Sequence, residues 1–350
     1  MKTLLKLRKI LLIHCGGTIG MVKNETQYIP ERGKLYEQIA NDSVLNDPAY
    51  IRENDTFVTQ ILKTQKRVSF EILELENIID SSEICTTDWN NLIILLKEKY
   101  NNYDGFLITH GTDTMAYTAA FLSFAIINPT KPIVLTGAHV PMTVEKDPGY
   151  NNLIDSFTFL STALKPEVNI IFGGRIHKGY ESTKVSTFES NGFYSFNQIT
   201  IDDYLKSDNQ ENKNDIIFPT FLQATYTKIC LLKIYPGIEP SLIEHVIDNF
   251  EGIVLETFGS GNIPLRNKKI IQIIEQGIGK RKLIVNTSQC IRGVVNPDYE
   301  GGNTLNKIGI LSTGRMTTEA AFVMILLAIS NFRLIDERNE FIRSCVMKYN

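Results

Sequence analysis

The sequence predicts an α/β protein of two domains, the larger built on a doubly wound parallel sheet. Three observations predict it. Apolar strand patterns alternate with helix patterns along most of the chain, which implies βαβ units. A chain of 350 residues is too long for one ordinary core. One tract, Lys206 to Asp215, is ten polar residues without periodicity and reads as an interdomain linker. The expected domains are therefore 1–205, a linker over 206–225, and a smaller α/β domain over 226–350.

Strand patterns fall at 9–15, 56–62, 69–75, 104–109, 132–137, 168–173, 229–234, 252–257 and 282–287. The pair 56–62 and 69–75, joined through Lys63-Thr64-Gln65-Lys66-Arg67, reads as a β-hairpin inserted in the first domain. Helix starts are marked by capping residues. Thr86 or Thr87 caps 88–100, with Asp88 in the first turn. Asp113 opens 114–127, which stops before Asn128-Pro129. Asn151 or Asn152 starts 153–164, and Pro166 ends it. Pro240 and Ser241 start 241–249, and Thr317 or Thr318 starts a helix to Asn331.

Composition excludes several classes. Apolar residues make up 43% and charged residues 21%, with a net charge of -3. No basic tract recommends a nucleic-acid partner. The five cysteines (15, 85, 230, 290, 345) are scattered and contain no Cys-x-x-Cys, which points to a reducing compartment. The histidines are equally dispersed, so no metal or other cofactor is expected. The N-terminus is basic, but its apolar run, Ile10 to Ile13, is too short for a secretory signal and enters a glycine turn. The expectation is a cytoplasmic protein with no membrane partner.

The chemistry concentrates in two segments. Ile10-Leu11-Leu12-Ile13-His14-Cys15-Gly16-Gly17-Thr18-Ile19-Gly20 and Phe106-Leu107-Ile108-Thr109-His110-Gly111-Thr112-Asp113-Thr114 each run from an apolar strand into a glycine turn bearing threonine. In an open parallel sheet, ligands bind at the carboxyl ends of strands. Hydroxyls delivered there suit nucleophilic catalysis once a base or relay activates them. Taken alone, the Thr18 segment also reads as a phosphate cradle or a plain turn, although it fits neither Gly-x-Gly-x-x-Gly nor the P-loop spacing. Asp113 reads equally as a helix cap. Residues 19–33 form a polar loop that Gly20 and Gly33 bracket as hinges.

Gly16-Gly17-Thr18-Ile19-Gly20 and His110-Gly111-Thr112-Asp113-Thr114-Met115 resemble the two signature segments of the asparaginase/glutaminase family. Tyr28-Ile29-Pro30, Asp80-Ser81-Ser82 and Ser182-Thr183-Lys184 follow in that family's order. The pattern is most similar to the cytoplasmic type I bacterial L-asparaginases. The resemblance implies a flavodoxin-like larger domain and hydrolysis of L-asparagine without a cofactor. It implies Thr18 as nucleophile, Tyr28 on a mobile lid, and a Thr112–Asp113–Lys184 triad, with Thr112 as nucleophile the minority view. By itself Lys184 is an isolated lysine; to act as a base it must lose its proton, and otherwise it stays charged and orients its neighbours. Ser81 and Ser82 match the residues that hold the substrate's α-carboxylate and α-amino ends, which otherwise read as a turn; many members have Gln where Ser82 stands. Ala138 matches the carbonyl that receives the side-chain amide.

The family's Gly-x-Gly-Asn loop matches Gly259-Ser260-Gly261-Asn262. Asn262 would then serve a neighbouring subunit, in a homodimer or dimer of dimers; the bland reading is a strand-to-helix turn. Asn286 to Gly293 is similar to a segment associated with an allosteric asparagine site. Regulated members carry Arg where Glu256 stands, and a carboxylate there would repel the effector's own. Cys290 is expected to be a buried small residue. The alternatives are a glutaminase, an amidase subunit acting on misacylated tRNA, which would bring a basic face, and a sensor that has lost catalysis. Long relatives that act on lysophospholipids carry ankyrin repeats, and no repeat is visible here.

Overall fold

The structure is a computed structural model and describes residues 7–50, 56–142, 148–207, 218–225, 228–296 and 300–349. The chain divides into two compact units, Met1–Phe221 and Leu222–Asn350. Most of the polar tract at 206–215 lies outside the described residues. Thr220–Phe221, assigned by the sequence to the linker, instead pair with Ile126–Ile127 of the first unit.

The first unit is built on an eight-stranded sheet. Its strands are β1 (Arg8–Gly16), β2 (Phe57–Val58), β3 (Val68–Ile79), β4 (Gly105–Thr109), β5 (Ile133–Thr136), β6 (Val168–Phe172), β7 (Arg175–Lys178) and β8 (Ile199–Thr200). Their spatial order is β8-β7-β6-β5-β4-β1-β3-β2. The central run β3-β1-β4-β5-β6 is parallel throughout. It has the flavodoxin-like order, in which the first strand stands between the second and third of the parallel set. Strands β1 and β4 are buried on both faces, which is why they read as unbroken apolar runs. The hairpin forms with Phe57 opposite Phe70, and its long arm β3 is also the sheet neighbour of β1.

Helices cover the sheet. Thr86–Lys99 starts two residues before the expected 88, because Cys85 rather than Thr86 or Thr87 takes the cap position and its N–H donates to Asp88 Oδ2 at 2.9 Å. Met115–Ala125 is buried almost all round, and Thr114 occupies its cap position rather than Asp113. Pro148–Thr162 begins ahead of the predicted Asn151 or Asn152. The second unit holds a four-stranded parallel sheet of Ile229–Lys233, Gly252–Thr257, Leu283–Ser288 and Leu311–Ser312, in that order. Thr317 caps Thr318–Asn331 by accepting from Ala320 N–H. Among the described residues, no helix is long and apolar enough to cross a membrane.

Candidate active site

Four neighbouring parallel strands end side by side, and each leads into a segment the sequence singled out. Ser81 and Ser82 follow β3, Thr18 follows β1, Thr112 and Asp113 follow β4, and Ala138 follows β5. The point where strand order reverses, between β1 and β4, is where an open sheet leaves a crevice.

Glycines bring the turns together. Gly16 and Gly17 have φ of 116° and 84°, a region that side-chain-bearing residues avoid. A Cβ on Gly17 would fall 2.5 Å from Gly111 Cα, so the Thr18 and Thr112 turns abut backbone to backbone. A Cβ on Gly111 would in turn fall 2.6 Å from Ser81 Cβ. Two absent side chains thus let three loops meet.

Lys184 arrives from outside the main sheet. Ser182–Lys184 pairs antiparallel with Phe193–Ser195, placing Lys184 opposite Phe193. Just before the Lys184 strand, the buried Glu181 carboxylate accepts from Asn197 N–H at 2.7 Å and Asn197 Nδ2 at 3.1 Å. Lys184 Nζ donates to Thr112 Oγ1 at 2.8 Å and to Asp113 Oδ1 at 2.6 Å. The expected capping role of Asp113 is therefore replaced by an ion pair with Lys184. Thr114 Oγ1 donates to the Ser81 carbonyl at 2.7 Å, which ties the β4 turn to the β3 turn.

Two buried histidines back these turns. His110 Nδ1 lies 2.6 Å from the Gly111 carbonyl, which can only accept. Neutral His110 therefore carries its proton on Nδ1, and Nε2 accepts from Thr118 Oγ1 at 2.9 Å. Thr118 Oγ1 itself accepts from Trp89 Nε1 at 3.0 Å. His14 Nδ1 lies 2.7 Å from Thr109 Oγ1, and its Nε2, without a partner among the described residues, faces Gly20. Burial lowers both imidazoles to a pKa of about 4. Neither they nor their bonding partners stood out as site residues in the sequence, because an isolated histidine in an apolar strand carries no spacing signal. Burial also pushes the neighbouring Cys15 thiol up to about 12, with the Asp88 charge acting the same way, so it is no rival nucleophile.

The remaining predicted residues divide. Ser81 is buried, whereas Ser82 is exposed and donates through both N–H and Oγ to Asp80 Oδ1, each at 2.9 Å. Ala138 is buried, and the adjacent Gly137 carbonyl accepts from Asn152 Nδ2 at 2.8 Å. Asn152 Oδ1 accepts from Gly173 N–H at 3.0 Å, so one side chain fixes the ends of β5 and β6. The sequence offered Asn152 only as a helix start. Residues 19–33 contain an ordered hairpin, Met21–Lys23 against Tyr28–Pro30. Gly33 N–H anchors its far end to Glu74 Oε2 at 2.7 Å. Tyr28 is exposed on it, and neither its hydroxyl nor that of Thr18 has a hydrogen-bond partner among the described residues.

Asn262 belongs to the second unit, where it closes a tight loop: Phe258 and Asn262 exchange backbone bonds of 3.0 and 2.8 Å. Glu256 accepts from Thr318 Oγ1 at 2.9 Å and pairs with Lys233 at 3.1 Å. Cys290, expected to be buried, is exposed, because Ser288 Oγ turns the chain outward by accepting Cys290 N–H at 2.9 Å.

The family model "Asparaginase, N-terminal" matches residues 9–216, and "Glutaminase/Asparaginase C-terminal domain" matches 228–341. An L-asparaginase of Dirofilaria immitis is 32% identical over 355 residues, covering 96% of this chain and 59% of that protein. A 60 kDa lysophospholipase of Mus musculus is 32% identical over 335 residues, covering 91% of this chain and 58% of that protein. The chain thus spans about six tenths of the length of these relatives. The crystal structure of L-asparaginase I from Vibrio cholerae superposes with a TM-score of 0.80 at 27% identity, covering 97% of both chains.

Proposed function

The chain belongs to the asparaginase family, and from that premise we propose that it hydrolyses L-asparagine to L-aspartate and ammonia through a threonine nucleophile. The observation that carries this reading is the Lys184 amine, 2.8 Å from Thr112 Oγ1 and 2.6 Å from Asp113 Oδ1. The turn it serves is pressed against the turn of Thr18.

Thr18 Oγ1 attacks the side-chain carbonyl carbon. Backbone N–H groups of the two turns stabilise the oxyanion. Ammonia leaves with the proton that Thr18 gave up, and a β-aspartyl ester remains. Water, directed by Thr112 and Lys184, splits the ester and restores the Thr18 hydroxyl. Ser81, Ser82 and Asp113 hold the α-carboxylate and α-amino groups, and the Ala138 carbonyl receives the amide N–H. Tyr28 reaches Thr18 as the hairpin closes over substrate. The Thr18 and Tyr28 hydroxyls, unpartnered among the described residues, support this pairing. Five free cysteines fit a reducing, cytoplasmic setting.

Ammonia release by the purified protein, with L-Asn and L-Gln in parallel, tests the reading. Strong release from Asn with far weaker release from Gln is expected. Equal rates would make it a glutaminase-asparaginase, and no release from folded protein would overturn the proposal. The working unit is a homodimer or dimer of dimers in which Asn262 completes a neighbour's site. Asn262→Ala is expected to lower activity about tenfold at unchanged oligomer size. A fully active monomer would sink the role in trans.

A further inference from the structure

We propose that His139 is a positioning residue for Lys184, clamping the turn 185–192 to the carboxyl end of β5. This inference rests on the reading of Lys184 as part of the reaction machinery. Lys184 ends its strand, and the chain returns at its register partner Phe193. The turn between them is closed by Val185 and Ser186 N–H groups, which donate to the Gly192 carbonyl at 2.9 and 3.3 Å. With Asp113 and Lys184, residues Val185, Ser186, Thr187 and Phe188 line one cleft, so the turn is also a wall of the site.

His139 follows Ala138 and lies against that turn at Gly192. Its ring stands edge-on to Phe172 with centroids 5.1 Å apart, and Phe172 packs in the same manner on Phe193. The imidazole makes a hydrogen bond to the Glu189 backbone. Its Nε2 has no partner among the described residues, so Nδ1 makes that bond. A Cβ on Gly192 would lie 2.5 Å from His139 Nε2 and 3.1 Å from Cε1. Gly192 does not have a left-handed φ, so it is the ring, not the backbone, that excludes a side chain there. A second seat supports the same turn: a Cβ on Gly173 would lie 3.0 Å from Asn191 Cα. Burial first, and then the Lys184 charge, hold the imidazole below its ordinary pKa; the Asp113 charge and the Glu189 bond act in the opposite sense.

The Lys184 amine is held by two short bonds, so a small displacement of its stem would uncouple it from Thr112. Three proteins test the clamp: His139→Ala, Gly192→Ala, and the double variant. His139→Ala is expected to lower kcat about tenfold with KM within about twofold. Gly192→Ala should do the same by displacing the ring. The double variant should be no worse than His139→Ala, because the obstructing ring is gone. Independently of activity, amide exchange at Val185 and Ser186 should quicken in each single variant while the β4 amides stay protected. Losses that multiply, an unchanged kcat in His139→Ala, or unchanged exchange would each overturn the proposal. Were the wild type to release no ammonia, the exchange measurement would still decide the clamp, and the failure would belong to the functional reading.

Discussion

The two threonine turns look alike in sequence and are built in opposite ways. The Thr112 turn is wired: Lys184 holds Thr112 and Asp113, Thr114 holds Ser81, and His110 holds the Gly111 carbonyl. The Thr18 turn is held by backbone, through two left-handed glycines, close packing, and Gly20 and Met21 N–H groups that donate to the Gly17 and Thr18 carbonyls, and its hydroxyl is left unpartnered among the described residues. A nucleophilic hydroxyl can take its activating partner from a lid that closes with substrate. A relay needs such partners in place before substrate arrives. The difference is the contrast expected if, as proposed, Thr18 attacks and Thr112 handles the proton.

The sharpest way to break that comparison is to remove each hydroxyl. Thr18→Ala is expected to lower kcat about 10⁴-fold or more, since the covalent route itself is lost. It should leave thermal unfolding unchanged, because no hydrogen bond to the hydroxyl from the described residues is broken. Thr112→Val should also lower kcat severely, and it should lower stability by about 1 kcal/mol by stripping Lys184 of a partner. Ammonia release and urea unfolding of both variants check this. Near-wild-type activity in Thr18→Ala with none in Thr112→Val would exchange the two roles.

The sequence carried the turns well because both depend on local signals: an apolar run, then glycine, then threonine. It also marked most parallel strands of the central sheet, since burial on both faces leaves unbroken apolar runs. It did not carry strand order, which packing decides. Lys184 was visible only through resemblance. Its place in the site comes from strand pairing, Lys184 opposite Phe193, and from its bonds to Thr112 and Asp113, far away in sequence, none of which spacing marks. The cap assignment at Thr86 or Thr87 fails because Asp88 forms a capping box with Cys85, and that at Asp113 fails because Lys184, a tertiary partner, claims the side chain. The amphipathic helix Lys268–Gly279 is legible in the sequence as well, since Ile270, Ile273, Ile274 and Gly277 repeat at helical spacing and are buried.

The histidines behind the two turns give a smaller effect that sharpens the same contrast. Both have folded pKa values of about 4, below the ordinary 6.5, because burial disfavours the charged ring. The unfolded chain therefore binds more protons than the folded one between pH 6.5 and 4. Their contribution to stability is full above pH 6.5, falls through that window, and levels off below 4. Each histidine steepens the loss by about 1 kcal/mol per pH unit. Replacing either by Gln should flatten the slope of unfolding free energy against pH by that amount. At pH 7 the His110 variant should be the less stable of the two, since it breaks bonds at both ring nitrogens while His14 has a partner at one. Equal slopes in variants and wild type would show that these rings are not the groups that titrate.

The mildest contrast lies in the serine pair beside the turns. Ser81 is buried against Gly111 and lends its carbonyl to Thr114, so its hydroxyl is fixed at the meeting point of three loops. Ser82 is exposed, and its hydroxyl is already given to Asp80. A donor on a rigid element contributes more to ligand binding than one that must first leave another acceptor. Ser81→Ala is therefore expected to raise KM for L-asparagine about tenfold, and Ser82→Ala about twofold or less. Steady-state kinetics on the two variants, at matched stability, check the ranking. A larger effect at Ser82 would mean that its bond to Asp80 opens on substrate binding, and that the β3 turn, like the Thr18 turn, is finished only when substrate is present.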